Sequence, residues 1–484
     1  MGRHHAAPEP ARRAAAAADR TPDDPHSGPH NDSHDDSHSN SHGDPLAAAA
    51  HSHGHAHSHD TGPWFSDPRN ITWTPPRIIL AVFLFLGAVA TVIAVVVQWP
   101  SGGATTNDGF HQTSSLGQEV ETGTVAVRTS GPCSSPTVGT VFDTAPPSLQ
   151  PGAVDTGQQC QQLITDITSG PDKGKRTLFT DTDSAGSADL SVGDDIRLAT
   201  TTGPDGSRSY AFQDFERTTP LWIWLIVALV GICIVGAWRG VRAVIGLALT
   251  LGVIGVFLLP ALARGGDPVM LAITACAAVL YLVLFLVHGM NWKTASSLGG
   301  TLVAMLLGTG LAALATSTNE LRGLADENNL QIILYLPGVE VAGLLVAGFI
   351  LGTLGVLNDV TVAQAATISE LRDAAPDASR WRLFTTAMRV GRDHLASTVY
   401  TLVLSYAGAA LPLLVLLSVS GRSLGDILTS DIMATEVLRS VVGALALVAA
   451  VPLTTAIAAV TTSASRAPAV AGSGPDSGPD IPGA

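Results

Sequence analysis

Seven polar residues that could bind a cation or carry a proton stand beside two long apolar stretches of the sequence. They are Asn358, Asp359, Thr361 and Gln364 after the first stretch, and Arg392, Asp393 and His394 before the second. A carboxylate at the boundary of a membrane is costly unless it is used or paired. One interpretation is therefore a transport or binding site at the inner mouth, in which Asp359 holds a cation or proton.

The same residues also fit the start of a cytoplasmic helix. Thr361 and Gln364 have the spacing of a capping box, and Asn358 or Asp359 would be a suitable N-cap. The segment 391–394 would then anchor the end of the next helix instead of pairing with Asp359. The pattern favours the cap slightly, and the two interpretations are compatible.

The apolar stretches that flank this cluster have different polar features. The first contains Gly348, Gly352 and Gly355, and a glycine pair four residues apart lets two membrane helices approach closely. We therefore predict helix packing at these glycines in preference to a gap that faces a substrate. The second stretch, 395–419, carries several hydroxyl groups and Pro412, which is typical of a broken helix.

The composition places the whole chain in a membrane. Of its 484 residues 46% are hydrophobic and only 14% are charged, with a mean hydropathy of +0.32. Eight apolar runs are long enough to span a bilayer: 78–97, 220–237, 243–263, 268–288, 294–316, 340–357, 395–419 and 441–461. The predicted fold class is an α-helical polytopic membrane protein of about eight transmembrane helices, with a small extracytoplasmic β-rich domain between the first and second spans.

The distribution of arginine and lysine predicts the orientation. Basic residues are concentrated in the loops that an inside N-terminus would leave inside, so we expect a plasma-membrane protein with both termini cytoplasmic. Segment 101–219 would then lie outside, and its short alternating stretches indicate strands. Cys133 and Cys160 could form a disulfide there if that side is oxidising, but the sequence does not decide it.

The terminal segments have the composition of disordered chain. Residues 1–70 and 463–484 lack apolar periodicity, which predicts a His-rich cytoplasmic tail and a short second tail. A flexible run of alternating histidines could chelate zinc or nickel, and the residues are His51, His53, His55, His57 and His59. Compositional drift explains the run equally well. The net charge of −14 concerns the solvation of polar segments and predicts no nucleic-acid partner.

Two blocks of the sequence resemble the signature blocks of a known family. They are LLVAGFILGTLGVLNDVTVAQA and RVGRDHLASTVYTLVLSYAGAALPLLVLL, and they look like those of the YibE/F family of bacterial multi-pass membrane proteins. The resemblance covers about residues 123–462 and leaves out the His-rich tail. It implies one N-terminal span, an extracytoplasmic β-rich segment and a block of further spans, and it leaves the activity open.

Two functions of different classes follow from these features. The first is a transporter or permease-like export component that uses the polar cluster near Asp359. The second is a non-transporting membrane scaffold or sensor that binds a protein partner through the extracytoplasmic domain. A zinc exporter similar to the cation diffusion facilitators would draw only on the tail. We predict that the protein is not an enzyme, since the chain has no Walker loop, HExxH or GxSxG motif. Membrane lipid is the one partner that the composition implies.

Overall fold

The computed structural model describes residues 73–462, apart from gaps at 104–106, 108, 111–113, 115, 134–136, 145–158, 182–187, 204–205 and 325. The predicted tails and the five histidines of the metal-binding run lie outside the described residues. Along the described chain, one apolar helix comes first, an antiparallel sheet follows, and a bundle of long apolar helices comes last.

The sheet contains six strands in the spatial order β2-β4-β3-β1-β5-β6, and every neighbouring pair is antiparallel. The strands are β1 Glu119–Pro132, β2 Val141–Phe142, β3 Gln159–Ile167, β4 Arg176–Asp181, β5 Asp195–Thr202 and β6 Arg208–Phe215. Alternating side chains of the central strands bury a small core around Leu163, Ile196 and Leu198. The predicted β-rich segment thus contains one sheet with a single buried face.

A disulfide links the neighbouring strands β1 and β3 at one end of the sheet. Cys133 follows the end of β1, and Cys160 lies at the start of β3, with 4.8 Å between their Cα atoms. Because β1 and β3 are paired neighbours, their register already brings Gly131 opposite Cys160. The covalent bond therefore closes one end of an existing strand pair.

The helices make up the rest of the described chain. They are α1 Pro75–Val97, α2 Thr218–Gly252, a π-helical turn Val253–Leu258, α3 Leu259–Leu262, α4 Pro268–His288, α5 Trp292–Thr318, α6 Glu327–Tyr335, α7 Val341–Ala374, α8 Arg380–Ala409, α9 Leu411–Ser418, α10 Leu424–Leu428 and α11 Asp431–Thr461.

Six helical stretches of the described chain are long and apolar enough to cross a membrane, or seven if α8 and α9 form one bent span. Two of the eight predicted runs, 220–237 and 243–263, belong to the single stretch Thr218–Leu262, and the second run ends one residue beyond it. That stretch is interrupted at Ala237, whose φ of 46° is non-helical. The exact number of crossings and the side on which each terminus lies stay predictions.

The structure contradicts the predicted helix start near Asn358. Helix α7 is continuous from Val341 to Ala374, so Asn358 and Asp359 lie in its middle and cap nothing. Helix α8 likewise begins well before the second apolar run, at Arg380, and Ser379 caps it by accepting a hydrogen bond from the N–H of Arg382. Polar residues in both segments concealed this continuity, because the apolar runs alone set the predicted ends.

Three helices form the centre of the bundle. Helices α5, α7 and α11 pack against one another, and α4 and α8 both pack against α7. The shared core contains Phe349, Leu298 and Ala446, each of them fully buried. Helix α7 is therefore surrounded on most of its circumference.

Candidate functional site

One surface of α7 carries almost no side chains. Gly348, Gly352, Gly355 and Asp359 are spaced by four, three and four residues, which places them on one face of the helix. All four are exposed. A Cβ atom added at Gly348 or Gly355 would meet nothing within 4 Å, and one added at Gly352 would lie 2.6 Å from the hydroxyl of Tyr406. We call this face, about 16 Å long at 1.5 Å per residue, the glycine groove.

The predicted packing of another helix on these glycines is not observed within the described residues. Of the three, only Gly352 has a neighbour, and that neighbour is the tip of a tyrosine side chain instead of a helix backbone. A GxxxG pair gives a close helix contact only where a second backbone approaches it. In this chain the pair instead leaves an open surface on the central helix.

Two helices flank the groove. Helix α4 runs beside α7, because the ring of Pro268 at its start packs against Gly343 and His288 at its end interacts electrostatically with Asp359. Helix α8 runs in the opposite direction, from His394 near Asp359 to Tyr406 at Gly352. The floor of the groove is therefore glycine, and titratable groups stand at its end.

The Asp359 end combines a carboxylate with two imidazoles. The carboxylate of Asp359 makes no hydrogen bond or ion pair within the described chain, although His288 and His394 lie within electrostatic range. The side-chain oxygen of the adjacent Asn358 is buried and lacks a hydrogen-bond partner. Among the described residues no three His, Cys, Asp or Glu side chains are close enough to hold a metal ion. This end of the groove therefore holds three side chains that can accept or release a proton.

The other end of the groove holds an ion pair next to aromatic rings. Nη1 of Arg439 donates to Oε1 of Glu436 at 2.8 Å, and the guanidinium carbon lies 5.6 Å from the ring centre of Phe349 and 6.0 Å from that of Tyr406. The hydroxyl of Tyr406 is buried and has no hydrogen-bond partner. Charged groups therefore occupy both ends of the groove, and a glycine floor lies between them.

The sequence analysis did not find this second cluster. The last apolar run begins at 441, whereas α11 begins at Asp431, so the run left Glu436 and Arg439 outside the predicted helix. The available signal was the spacing of Glu436 and Arg439, three residues apart, which is typical of an ion pair on a helix.

The opposite face of α7 is polar too, but it is closed. The hydroxyl of Thr361 lies 2.6 Å from that of Thr301 and 3.1 Å from that of Ser297, both on α5. The hydroxyl of Thr455 on α11 donates to Oε1 of Gln364 at 3.0 Å. All five residues are almost fully buried. We call this set of contacts between α5, α7 and α11 the hydroxyl seam.

Glycines allow the seam to close. A Cβ at Gly300 of α5 would lie 2.0 Å from the hydroxyl oxygen of Thr454, and a Cβ at Gly391 of α8 would lie 2.5 Å from Nε2 of Gln364. Real Cβ atoms do not approach other atoms so closely, so these two positions need glycine. Thr361 and Gln364, which were expected to act with Asp359, are thus placed on the closed face and away from the groove.

The three polar residues before the second apolar stretch have different positions. Arg392, Asp393 and His394 are all exposed on α8. Of the three, His394 is the residue that interacts electrostatically with Asp359. Of the predicted site residues, Asp359 and His394 therefore lie within electrostatic range of each other. His288, which was not predicted, joins them from α4.

The sheet contains a separate polar cluster. The hydroxyl of Tyr210 lies 2.9 Å from a carboxylate oxygen of Glu121 and 2.9 Å from one of Asp172. Burial and these two carboxylates raise the pKa of Tyr210 above its ordinary value. A hydrogen bond from Lys175, 3.0 Å away, is the main cause that lowers the pKa of Asp172. These contacts fix β6 to β1 and to the turn after β3.

The comparison with protein families gives one match. Residues 224–464 match the YibE/F-like protein family, which confirms the family resemblance of the sequence blocks. The matched range covers α2 to α11 and does not include the sheet. Neither the curated proteins nor the solved structures give a match to this chain.

Proposed function

Because residues 224–464 belong to the YibE/F-like family and the chain is a membrane protein, we propose that it is a transporter or a permease-like component of an export system. The glycine groove is the proposed path. The observation that carries the proposal is an open, side-chain-free surface on the central helix with charged groups at both ends.

Asp359 has the proposed role of the proton or cation carrier. A carboxylate that makes no hydrogen bond and has two imidazoles within electrostatic range can accept and release a proton. Polar and ionisable groups that face the interior of a membrane bundle commonly mark such a pathway. At the far end of the path, Arg439 and Glu436 would keep each other ionised through their ion pair.

A proton-flux measurement tests this role. The full-length protein is reconstituted into liposomes with a trapped pH-sensitive dye, and proton entry is followed after a membrane potential is imposed. We expect Asp359→Asn to slow the protein-dependent flux by about 10-fold or more, the size of a lost proton-transfer step. Asp393→Asn removes the same charge from the neighbouring helix and should leave the flux unchanged. Equal flux through Asp359→Asn and the unchanged protein would contradict the proposal.

The alternative is a membrane scaffold or sensor, and one observation favours it. The most apolar window of the Thr218–Leu262 stretch is not buried by any other part of the described chain, and Trp222 and Trp224 are exposed on it. A photoreactive amino acid in place of Trp224 tests this function in native membranes. Crosslinks to a defined protein would favour the scaffold, and crosslinks to lipid alone would argue against it.

A further inference from the structure

A cleft with three arginines lies at the end of the bundle where α1 begins and α11 ends. It has a volume of about 420 Å³ and is lined by ten residues, among them Arg77, Arg372, Arg380 and Thr462. These ten residues include three guanidinium groups and no carboxylate. We call this site the arginine cleft.

Arg77 is held rigidly in the wall of the arginine cleft. Its side chain is only 4% exposed, and Nε donates to the carbonyl oxygen of Thr461 at 2.6 Å. Its guanidinium carbon lies 5.0 Å from the ring centre of Trp292. The charge is therefore fixed by a helix end and by an aromatic ring, and its position does not depend on a ligand.

Arg372 is held by the turn between α7 and α8. Its Nη1 donates to the carbonyl of Ala378 at 2.8 Å and to that of Pro376 at 3.2 Å. Its Nε is buried and has no hydrogen-bond acceptor. A buried donor without an acceptor is costly, and an anion that enters the cleft would remove that cost.

Arg380 adds a third charge close to Arg372, with which it interacts as a like charge. The hydroxyl of Thr462 is buried in the same cleft and also lacks a hydrogen-bond partner. Two arginines held side by side without a carboxylate repel each other unless an anion lies between them. Planar guanidinium groups match the oxygens of phosphate particularly well.

From these contacts we propose that the arginine cleft binds a phosphate group, supplied by an anionic lipid headgroup or by a free phosphate. Tryptophan side chains lie near the cleft, and tryptophan is enriched at the headgroup level of membrane proteins. Trp73 packs edge-on against Trp292 with 5.9 Å between ring centres, and Trp381 beside Arg380 is 72% exposed. Basic pockets between membrane helices hold lipid phosphates in the same way. This binding site is separate from the glycine groove and does not depend on transport.

Thermal unfolding of the purified full-length protein tests the proposal, with phosphatidylglycerol, phosphatidylcholine or inorganic phosphate added over a range of concentrations. A ligand that binds the folded state raises the unfolding midpoint with dose. We expect Arg380→Gln to raise the half-saturating concentration of the ligand that shifts the midpoint by about 10-fold. This is the effect of losing one charged hydrogen bond. Arg389→Gln removes an exposed arginine from the same helix and should change nothing.

Each outcome of this experiment decides a point. A shift with phosphatidylglycerol alone, reduced in Arg380→Gln, identifies a lipid headgroup as the source of the phosphate. A shift with inorganic phosphate, reduced in the same variant, identifies a free phosphate. The proposal is overturned if no ligand shifts the midpoint, or if Arg380→Gln responds as strongly as Arg389→Gln.

Discussion

The two faces of α7 differ in what their polar groups contact. On the seam face, the side chains of Thr361 and Gln364 have hydrogen-bond partners on α5 and α11, and the absence of a side chain at Gly391 leaves room for Gln364. On the groove face, Asp359 has no direct partner and Gly348 and Gly355 have no neighbour. A satisfied network rigidifies a fold, whereas an exposed charge without a partner adds little to stability. One helix thus provides both the support and the site.

This contrast predicts that glycine substitutions will affect stability on one face only. Gly300→Val should destabilise the protein by about 3 kcal/mol or more, because its Cβ would lie 2.0 Å from the hydroxyl oxygen of Thr454, the residue of α11 next to Thr455 of the seam. Gly355→Leu should leave the unfolding midpoint within error, since nothing lies within 4 Å. Thermal unfolding of both variants in the same detergent measures the difference. Equal destabilisation would show that the groove is packed after all.

A satisfied polar cluster outside the membrane should behave as the seam does. Tyr210→Phe removes the hydroxyl that lies 2.9 Å from both Glu121 and Asp172, so it should destabilise the sheet by about 1–3 kcal/mol. Hydrogen exchange of β6 peptides in the full-length protein measures the loss. Unchanged protection of β6 would mean that these contacts contribute nothing.

The same cluster makes the sheet sensitive to pH in two ranges. The raised pKa of Tyr210 stabilises the fold below about pH 10, the ordinary tyrosine value, and that contribution is lost as the pH rises further. The lowered pKa of Asp172 stabilises the fold above about pH 4, and this contribution is lost as the pH falls. In Tyr210→Phe the alkaline loss should disappear, which unfolding midpoints between pH 8 and 11 would detect.

A smaller effect is expected from the hydroxyl of Thr361. Thr361→Val keeps the shape of the side chain but leaves the hydroxyls of Ser297 and Thr301 without that partner, which should cost about 1 kcal/mol. Thr361→Ser keeps the hydroxyl and serves as the matched control. Equal unfolding midpoints of Thr361→Val and Thr361→Ser would indicate that the seam stabilises the fold through packing alone.

The smallest effect on stability should come from the residue with the largest proposed role. Asp359→Asn removes an exposed charge that makes no hydrogen bond, so its unfolding midpoint should match that of the unchanged protein or exceed it slightly. A loss of several degrees would place Asp359 with the structural residues of the seam.

The sequence predicted the membrane-spanning character, the strands and the polar position of Asp359, because composition and alternation depend on neighbouring residues. It did not predict the two faces of α7, since the apolar run ends at Leu357 and the helix was therefore taken to stop there. Counting by helical spacing across Leu357 would have aligned Gly355 with Asp359. The contacts of Thr361 with α5 and of Arg439 with Phe349 depend on pairing between distant helices, which no local pattern contains.

The proposed path requires the glycine groove to be open to water instead of covered by lipid. Gly355→Cys and Gly310→Cys compare two exposed glycines, neither of which has a neighbour within 4 Å. The two positions lie at similar depth, because α11 contacts α5 through Ala446 at Gly308 and contacts α7 through Gly443 at Thr353. A charged thiol reagent is added to the full-length protein in liposomes, and labelling at each introduced cysteine is located by peptide mass. We predict labelling at position 355 and none at position 310 on α5. Absence of labelling at 355, or equal labelling at both, would contradict the account.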